Sequence, residues 1–268
     1  MKKSSQANSV KVRSIALPSE HGGWGFLLEP VLLGLLVAAS WNSALLSLAM
    51  LGLFLIHQPL KIAAKDFRKG RRTPRAMLAL RFLAGYGLLF VLSFAAVLLR
   101  ADARFLIPLA VGAILLTIQF YFDLQNRSRH LAPELSGAIA LGAIATSITI
   151  LKKWPDDQAF ALWGIVIARV VPSILYVRAR LRLEHGQSIA RPPVWGMHIL
   201  ALVAVGALAA LDVSPYLALL PMAILLGRAL WGLSDYRRPA RAVMIGVGEI
   251  IFGLVTVILV AVGYWTGV

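Results

Sequence analysis

The sequence predicts an all-α fold, a polytopic transmembrane bundle of about nine helices. Of the 268 residues, 59% are hydrophobic and only 15% are charged, and the mean hydropathy is +0.78. A soluble domain this apolar could not keep its surface free of large apolar patches. Apolar blocks long enough to cross about 30 Å of hydrocarbon also recur along the whole chain. Together these observations indicate an integral membrane protein.

The predicted spans are apolar blocks that polar or charged segments separate. In chain order they cover residues 23–39, 43–60, 77–99, 103–122, 134–151, 157–178, 194–211, 214–233 and 242–265. The breaks between them are residues 40–42, 61–76, 100–102, 123–133, 152–156, 179–193, 212–213 and 234–241. The weakest break contains Asp212 as its only ionisable residue, and without it the count falls to eight. We expect residues 1–22 to form a basic tail and residues 23–268 to form a single transmembrane domain.

The charge distribution predicts how the chain is oriented. The chain has 27 Lys and Arg against 12 Asp and Glu, a net charge of +15. With nine spans, the N-terminal tail and the connections after spans two, four, six and eight hold nearly all of this excess, whereas the opposite connections are neutral. Cytoplasmic loops carry such an excess, so we predict a multi-pass membrane protein with its N-terminus in the cytoplasm and its C-terminus outside. The basic charge therefore needs no nucleic-acid partner.

Ionisable residues inside the predicted spans suggest a function, because such residues are costly in a membrane. Glu29 and Glu249 lie about 10 Å, and Arg169 about 13 Å, from the predicted inner ends of their spans, at 1.5 Å per residue. Arg169 could form a structural ion pair with either glutamate, or all three could line the floor of a cavity open to the cytoplasm. The sequence leaves both interpretations open. Arg228 is another ionisable residue within a span, and the further cavity candidates are His21, Arg81, Gln119 and Tyr176.

Two basic segments on the predicted inner side are candidate phosphate sites, because guanidinium groups bind phosphate with paired hydrogen bonds. Such segments also hold loops inside and contact anionic lipids. The phosphate-binding candidates are Lys61, Lys65, Arg68 and Arg72 after span two, and Arg178, Arg180 and Arg182 after span six. The chain has no cysteine, and its five histidines show no metal-binding spacing. We therefore predict neither a metal site nor a cofactor.

The run from Leu17 to Pro30, which contains Glu20-His21-Gly22 and Glu29-Pro30, resembles the YwiC-like family of bacterial integral membrane proteins. Gln58-Pro59 and the segment from Asp66 to Arg72 extend this resemblance. The resemblance implies a protein of the bacterial cytoplasmic (inner) membrane. The function of that family is uncharacterised.

A more distant resemblance is to the UbiA-type membrane prenyltransferases. Pro30, the segments 72–75 and 121–137, and Tyr176 carry it in chain order. It implies a UbiA-like arrangement of nine helices around an active site that faces the cytoplasm.

The UbiA-type enzymes bind Mg²⁺ through two aspartate-rich motifs, and this chain departs from both. With Asp66 in the last position of the first motif, Pro59 and Ile62 take the earlier acidic positions. Arg178, Arg180 and Arg182 replace the acids of the second motif. The resemblance therefore implies the scaffold and its cavity without Mg²⁺-dependent prenyl transfer.

Three functions stay open from the sequence. The first is binding of an isoprenoid or another lipid with a phosphate or diphosphate head, such as a prenyl diphosphate, with or without catalysis. If there is catalysis, the candidate residues are Asp66, Asp123, Glu134, His57 and His185. The second is a transporter that uses Glu29, Arg169 and Glu249 as a relay. The third is a non-catalytic protein that binds lipids or an acidic partner; the oligomeric state is not predicted.

Overall fold

The computed structural model describes residues 12–18, 21–68, 70, 73–125, 127 and 130–268, without the side chains of residues 21, 22, 123 and 124. After a short helical segment at residues 12–16, nine helices follow in these ranges. They are α1 (His21–Val37), α2 (Trp41–Phe67), α3 (Pro74–Leu98), α4 (Leu106–Leu124), α5 (Leu131–Leu151), α6 (Asp156–Glu184), α7 (Pro192–Ala210), α8 (Leu219–Gly232) and α9 (Ala242–Thr266). Single 3₁₀ turns, Ala103–Phe105 and Tyr216–Ala218, precede α4 and α8. The described chain contains no strand, which confirms the predicted all-α class.

Seven helices in the described part of the chain are long and apolar enough to cross a membrane: α2 to α7, with α4 counted from Ala103, and α9. The other two, α1 and α8, are apolar but shorter. This pattern confirms a polytopic helical membrane protein. The count of nine spans, the choice of membrane and the orientation stay predictions.

The chain divides into two compact units, which are described separately. The first consists of residues 1–24 and 44–102, and the second of residues 25–43 and 103–268. The division does not follow the predicted boundary between a tail and one transmembrane domain, and that domain assignment stays a prediction.

In the first unit, the segment at residues 12–18 packs onto the helices. Ile15 is buried in a cluster with Ile62 of α2 and Ala79 of α3. The hydroxyl of Tyr86 also donates a hydrogen bond to the carbonyl of Ala16, at 3.1 Å. Residues that precede the first predicted span thus belong to the packed interior of this unit.

Helices α2 and α3 approach closely at Gly52. A Cβ at this position would lie 3.0 Å from the carbonyl oxygen of Tyr86 and 3.0 Å from the amide nitrogen of Phe90. Both atoms are backbone, so no side-chain rotation could relieve the contact. In a membrane, where apolar burial gives little force between helices, close contacts at small residues stabilise the pairing.

In the second unit, α5 is the most buried helix, with 72% of its apolar window inside the protein. Small residues let its neighbours approach. Gly142 of α5 leaves room for Val166 and Trp163 of α6, and a Cβ there would lie 3.0–3.1 Å from their side chains. Further along the chain, α6, α7, α8 and α9 share an apolar core that includes Ile165, Val205 and Leu225. This core holds α6, α8 and α9 together, and these three helices build the site described below.

We expect Gly52→Ala to destabilise the protein by about 1–3 kcal/mol, because an added methyl group forces the backbones of α2 and α3 apart. Gly85→Ala is the matched control, since a Cβ at Gly85 of α3 has open space around it. Thermal unfolding in detergent should show a lower midpoint for the first variant and an equal or higher midpoint for the second. Equal midpoints for Gly52→Ala and wild type would contradict the close backbone contact.

Candidate functional site

Two adjoining cavities lie in the second unit, where α6 and α8 end and α9 begins. Their volumes are about 490 Å³ and 200 Å³. Four residues line both cavities: Tyr176, Arg180, Arg228 and Phe252. The larger is also lined by Ile224, Gly227, Trp231, Gly232, Arg237 and Arg238. The smaller is also lined by Ala240, Met244, Ile245, Gly248 and Glu249. Four arginines and one carboxylate therefore surround a partly apolar space.

Arg228 of α8 lies between the two cavities. Its side chain is only 7% exposed and forms an ion pair with Oε1 of Glu249. Its guanidinium stacks over the ring of Tyr176, at 4.1 Å from the centroid, and also donates to the hydroxyl of Ser173, at 3.3 Å. Yet the buried Nε of Arg228 has no hydrogen-bond partner among the described residues. Nε of Arg169 is unpaired in the same way, although buried donors are nearly always paired. Of these two arginines, only Arg228 lines the cavities.

Behind Arg228, a network of charged residues connects four helices. Arg169 of α6 pairs with Oε1 of Glu29 on α1, at 3.2 Å, and with Oε2 of Glu249 on α9, at 3.4 Å. Its Nη2 also donates to the backbone carbonyl of Glu249, at 3.0 Å. With Arg228, the network has two positive and two negative charges. Of the three residues that the sequence places at similar depths, Arg169 thus contacts both glutamates.

A glycine makes room for this network. A Cβ at Gly253 of α9 would lie 2.0 Å from Oε1 of Glu29. Any side chain at this position would displace the carboxylate of Glu29 from Arg169, so the close approach of α1 to α9 requires glycine.

Arg180 of α6 holds the connection between α8 and α9 in place. Its Nη1 donates to the carbonyl of Gly232, and its Nη2 donates to the carbonyl of Arg238, both at 2.5 Å. Glu184, one turn further along α6, pairs with Arg180 at 3.0 Å and accepts a hydrogen bond from the amide of Ala240, at 3.1 Å. These contacts use most of the donors of Arg180. Its geometry is that of a residue that positions the cavity wall.

The same connection carries the remaining arginines of the site. Arg238 is exposed, and Nε of Arg237 lies 4.0 Å from the carboxylate of Glu184. The connection is also linked to the start of α7, where Arg191 pairs with Asp235, at 2.5 Å. The hydrogen bond from Arg191 lowers the pKa of Asp235, so this link persists until the pH falls below the usual range of an aspartate.

Other sequence candidates in the second unit lie outside the cavity walls. Arg178 pairs with Glu134 of α5, at 2.7 Å, and both side chains are about one-third exposed, at 30% and 34%. Arg182 and His185 are exposed. Gln119 of α4 packs against Gly137 of α5, where a Cβ would lie 2.2 Å from its amide oxygen. Of the three arginines in the second basic segment, only Arg180 lines the cavities.

The candidates in the first unit lie on α2, on α3 and in the connection between them. Asp66 accepts a hydrogen bond from Thr73, at 2.8 Å, while the hydroxyl of Thr73 caps α3 by accepting from the amide of Ala76, at 3.1 Å. His57 is half-buried on α2. The exposed basic candidates are Lys61, Lys65, Arg68 and Arg81. Asp66 thus has a structural partner.

Three further candidates cannot be placed. Arg72 lies outside the described residues, as do the side chains of His21 and Asp123. In the part of the chain that is described, no group of three or more His, Asp or Glu residues could hold a metal ion.

The sequence prediction of the site did not include Arg237 and Arg238. Both belong to the basic connection after span eight, which the charge distribution explains as a topological signal. The only further signal is that these two arginines follow Arg228 and Trp231 at the end of one span. Nothing in the sequence shows that the connection folds back onto α6.

The fold and the site define a polytopic helical membrane protein with an arginine-lined cavity. The model of the YwiC-like protein family matches residues 17–149. Over this region the chain is similar to the YwiC-like family, as its N-terminal motifs predict. No curated protein and no solved structure matches the chain. All residues that line the two cavities come after residue 149, so the family match covers the part of the chain that precedes the site.

We expect Arg180→Ala to lower the free energy of unfolding by about 3–5 kcal/mol, because it leaves the carboxylate of Glu184 buried without its main partner. Arg178→Ala, two residues away on α6, removes a pair that is about one-third exposed and should cost only about 0–1 kcal/mol. Thermal unfolding in detergent measures both effects. Limited proteolysis should cleave the segment 234–241 faster in Arg180→Ala alone. Equal behaviour of the two variants would refute the positioning role of Arg180.

Proposed function

We propose that this protein binds a membrane amphiphile with a phosphate or diphosphate head in the two arginine-lined cavities. A prenyl diphosphate is one ligand of this class. The observation that carries the proposal is Arg228, a buried guanidinium with an unpaired N–H group in the wall of both cavities. In a membrane protein, a buried charge of this kind is by default a candidate functional group.

The charges around the cavities favour an anion. Among the described residues, Glu249 is the only acidic one in the cavity walls, against four arginines, and Glu184 compensates Arg180 from outside the walls. Arg228 is paired with Glu249, and Nε of Arg237 lies 4.0 Å from Glu184. The four arginines thus exceed these two carboxylates by two positive charges, which favours a ligand with more than one negative charge. Phosphate oxygens accept several guanidinium hydrogen bonds at once, and such bonds are about twice as strong as neutral ones. The low dielectric of a membrane-embedded cavity strengthens the attraction further.

The remaining wall favours an apolar chain on the same ligand. Five apolar side chains line the cavities beside the arginines: Ile224 and Trp231 of α8, and Met244, Ile245 and Phe252 of α9. Trp231 is 64% exposed and Met244 is 62% exposed, so the apolar wall continues onto the outer surfaces of α8 and α9. A ligand with its head at Arg228 could lay its chain along this surface.

The proposed function is binding of this ligand without a chemical reaction. Glu134 and His185, the candidate catalytic residues in this unit whose side chains are described, do not line either cavity. The distant resemblance to UbiA-type proteins supports a ligand with a diphosphate head, with arginines in place of bound metal ions. For Glu29, Arg169 and Glu249, mutual charge compensation favours the structural interpretation over a transport relay.

Isothermal titration of the detergent-purified protein with dodecyl phosphate at pH 8 tests the proposal. We expect saturable binding that Arg228→Gln weakens by at least about tenfold, since a hydrogen bond to a charged group contributes about 1.5–3 kcal/mol. Arg228→Lys keeps the charge but loses the paired donors, so its affinity should be intermediate. Arg178→Gln is the control and should bind as wild type does.

Inorganic phosphate and dodecyltrimethylammonium separate the contributions of head and chain. Inorganic phosphate should bind more weakly than dodecyl phosphate because it lacks the chain. Dodecyltrimethylammonium should not bind, because its head is positively charged. Unchanged affinity of a folded Arg228→Gln variant for dodecyl phosphate would refute this site.

A further inference from the structure

We infer that the aromatic rings of Tyr176 and Phe252 position the guanidinium of Arg228 so that its N–H groups are available to the phosphate of the ligand. The inference rests on the proposed function and concerns the same site. It assigns both aromatic residues as positioning residues, which act on the ligand through Arg228.

Two aromatic rings lie against the guanidinium of Arg228. Its Cζ atom lies over the ring of Tyr176, 4.1 Å from the centroid, and over the ring of Phe252, 5.0 Å from the centroid. Both aromatic residues line both cavities. The negative face of an aromatic ring attracts a cation at such distances, and the planar guanidinium of arginine stacks on it. The two rings therefore favour one orientation of Arg228.

Tyr176 has little freedom to move away from Arg228. It is only 7% exposed, and its ring lies against the backbone of α8 at Gly232. A Cβ at Gly232 would lie 2.3 Å from the hydroxyl oxygen of Tyr176 and 2.9 Å from two of its ring carbons. Because Gly232 has no side chain, the ring of Tyr176 packs closely beside the arginine.

The rings hold Arg228 without using its hydrogen-bond donors. The N–H groups of a guanidinium lie in its plane, whereas a stacked ring contacts its face. Nη1 of Arg228 pairs with one carboxylate oxygen of Glu249, and Nη2 donates to the hydroxyl of Ser173, at 3.3 Å. Nε has no hydrogen-bond partner among the described residues. The donors that Glu249 and Ser173 do not use are thus left for a phosphate.

The rings affect ligand binding through orientation. Their attraction for the cation is present with and without a ligand, so it contributes little to the difference between the two states. Without the rings, the guanidinium can turn and bind both oxygens of Glu249, the paired geometry that arginine and carboxylates favour. A ligand would then have to break that pair before it could bind Arg228. The rings therefore raise the affinity of the site for a phosphate head.

Substitutions that remove or keep the ring of Tyr176 test the inference. Titration calorimetry on the full-length protein in detergent, with dodecyl phosphate at pH 8, gives the dissociation constants. We expect Tyr176→Leu to weaken binding about tenfold, which corresponds to about 1.4 kcal/mol. Tyr176→Phe keeps the ring and should bind clearly more tightly than Tyr176→Leu. Tyr264→Leu is the matched control, because Tyr264 of α9 is half-buried and lines neither cavity; it should bind as wild type does.

A double-mutant cycle shows whether the ring acts through Arg228. Once Arg228→Gln has removed the guanidinium, Tyr176→Leu should cause no further loss of affinity. The same tenfold loss in both backgrounds would overturn the inference, because the ring would then act on the ligand independently of Arg228. Equal affinities of Tyr176→Phe and Tyr176→Leu would also overturn it, since the ring would then have no effect.

Thermal unfolding shows whether each variant is folded. If Tyr176→Leu does not fold, Phe252→Leu removes the more distant ring instead and should weaken binding by a smaller factor. Wild-type affinity of a folded Phe252→Leu variant would then overturn the inference. Binding that depends on Arg228 and on neither ring leaves the proposed function intact and removes only the inference. No binding of dodecyl phosphate to the wild-type protein would overturn both.

Discussion

The pairing of Arg169 and Arg228 with Glu29 and Glu249 is the constraint on which the second unit depends. These four side chains come from α1, α6, α8 and α9 and are at most 19% exposed. A single charge left without its partner would be costly in a membrane interior. The four helices can therefore pack only in an arrangement that brings all four charges together. Apolar side chains alone impose no comparable register between helices in lipid.

The arginine cavity follows from this register. Once Glu249 is fixed against Arg169 and Arg228, the first turns of α9 face the last turns of α6 and α8. Arg180 then binds the carbonyls of Gly232 and Arg238 and folds the connection over the same region. Arg180 thus stabilises the cavity wall, whereas Arg228, Arg237 and Arg238 line the cavity itself. A site for anions arises because the positive charges outnumber the internal partners available to them.

The fold was largely predictable from the sequence, because lipid selects for apolar blocks whose length and spacing can be read directly. The shared depth of Glu29, Arg169 and Glu249 could also be read from their distances to the span ends. The contacts of the second basic segment could not. Arg178 and Arg180 are two residues apart on a helix, so they lie on different faces, and one reaches α5 whereas the other reaches the connection after α8. Their different partners depend on how the neighbouring helices are arranged.

The length of α8 has a consequence for the lipid around it. The helix has 14 residues and, with the 3₁₀ turn Tyr216–Ala218 before it, extends about 27 Å at 1.5 Å per α-helical residue and 2.0 Å per 3₁₀ residue. This is less than the roughly 30 Å thickness of the hydrocarbon layer. A bilayer adapts to such a short segment by becoming thinner around it. Headgroups and water would then come closer to the end of α8 that carries Arg228 and Trp231. The hydrophobic mismatch of one helix would thereby give a lipid head a short path to a buried arginine.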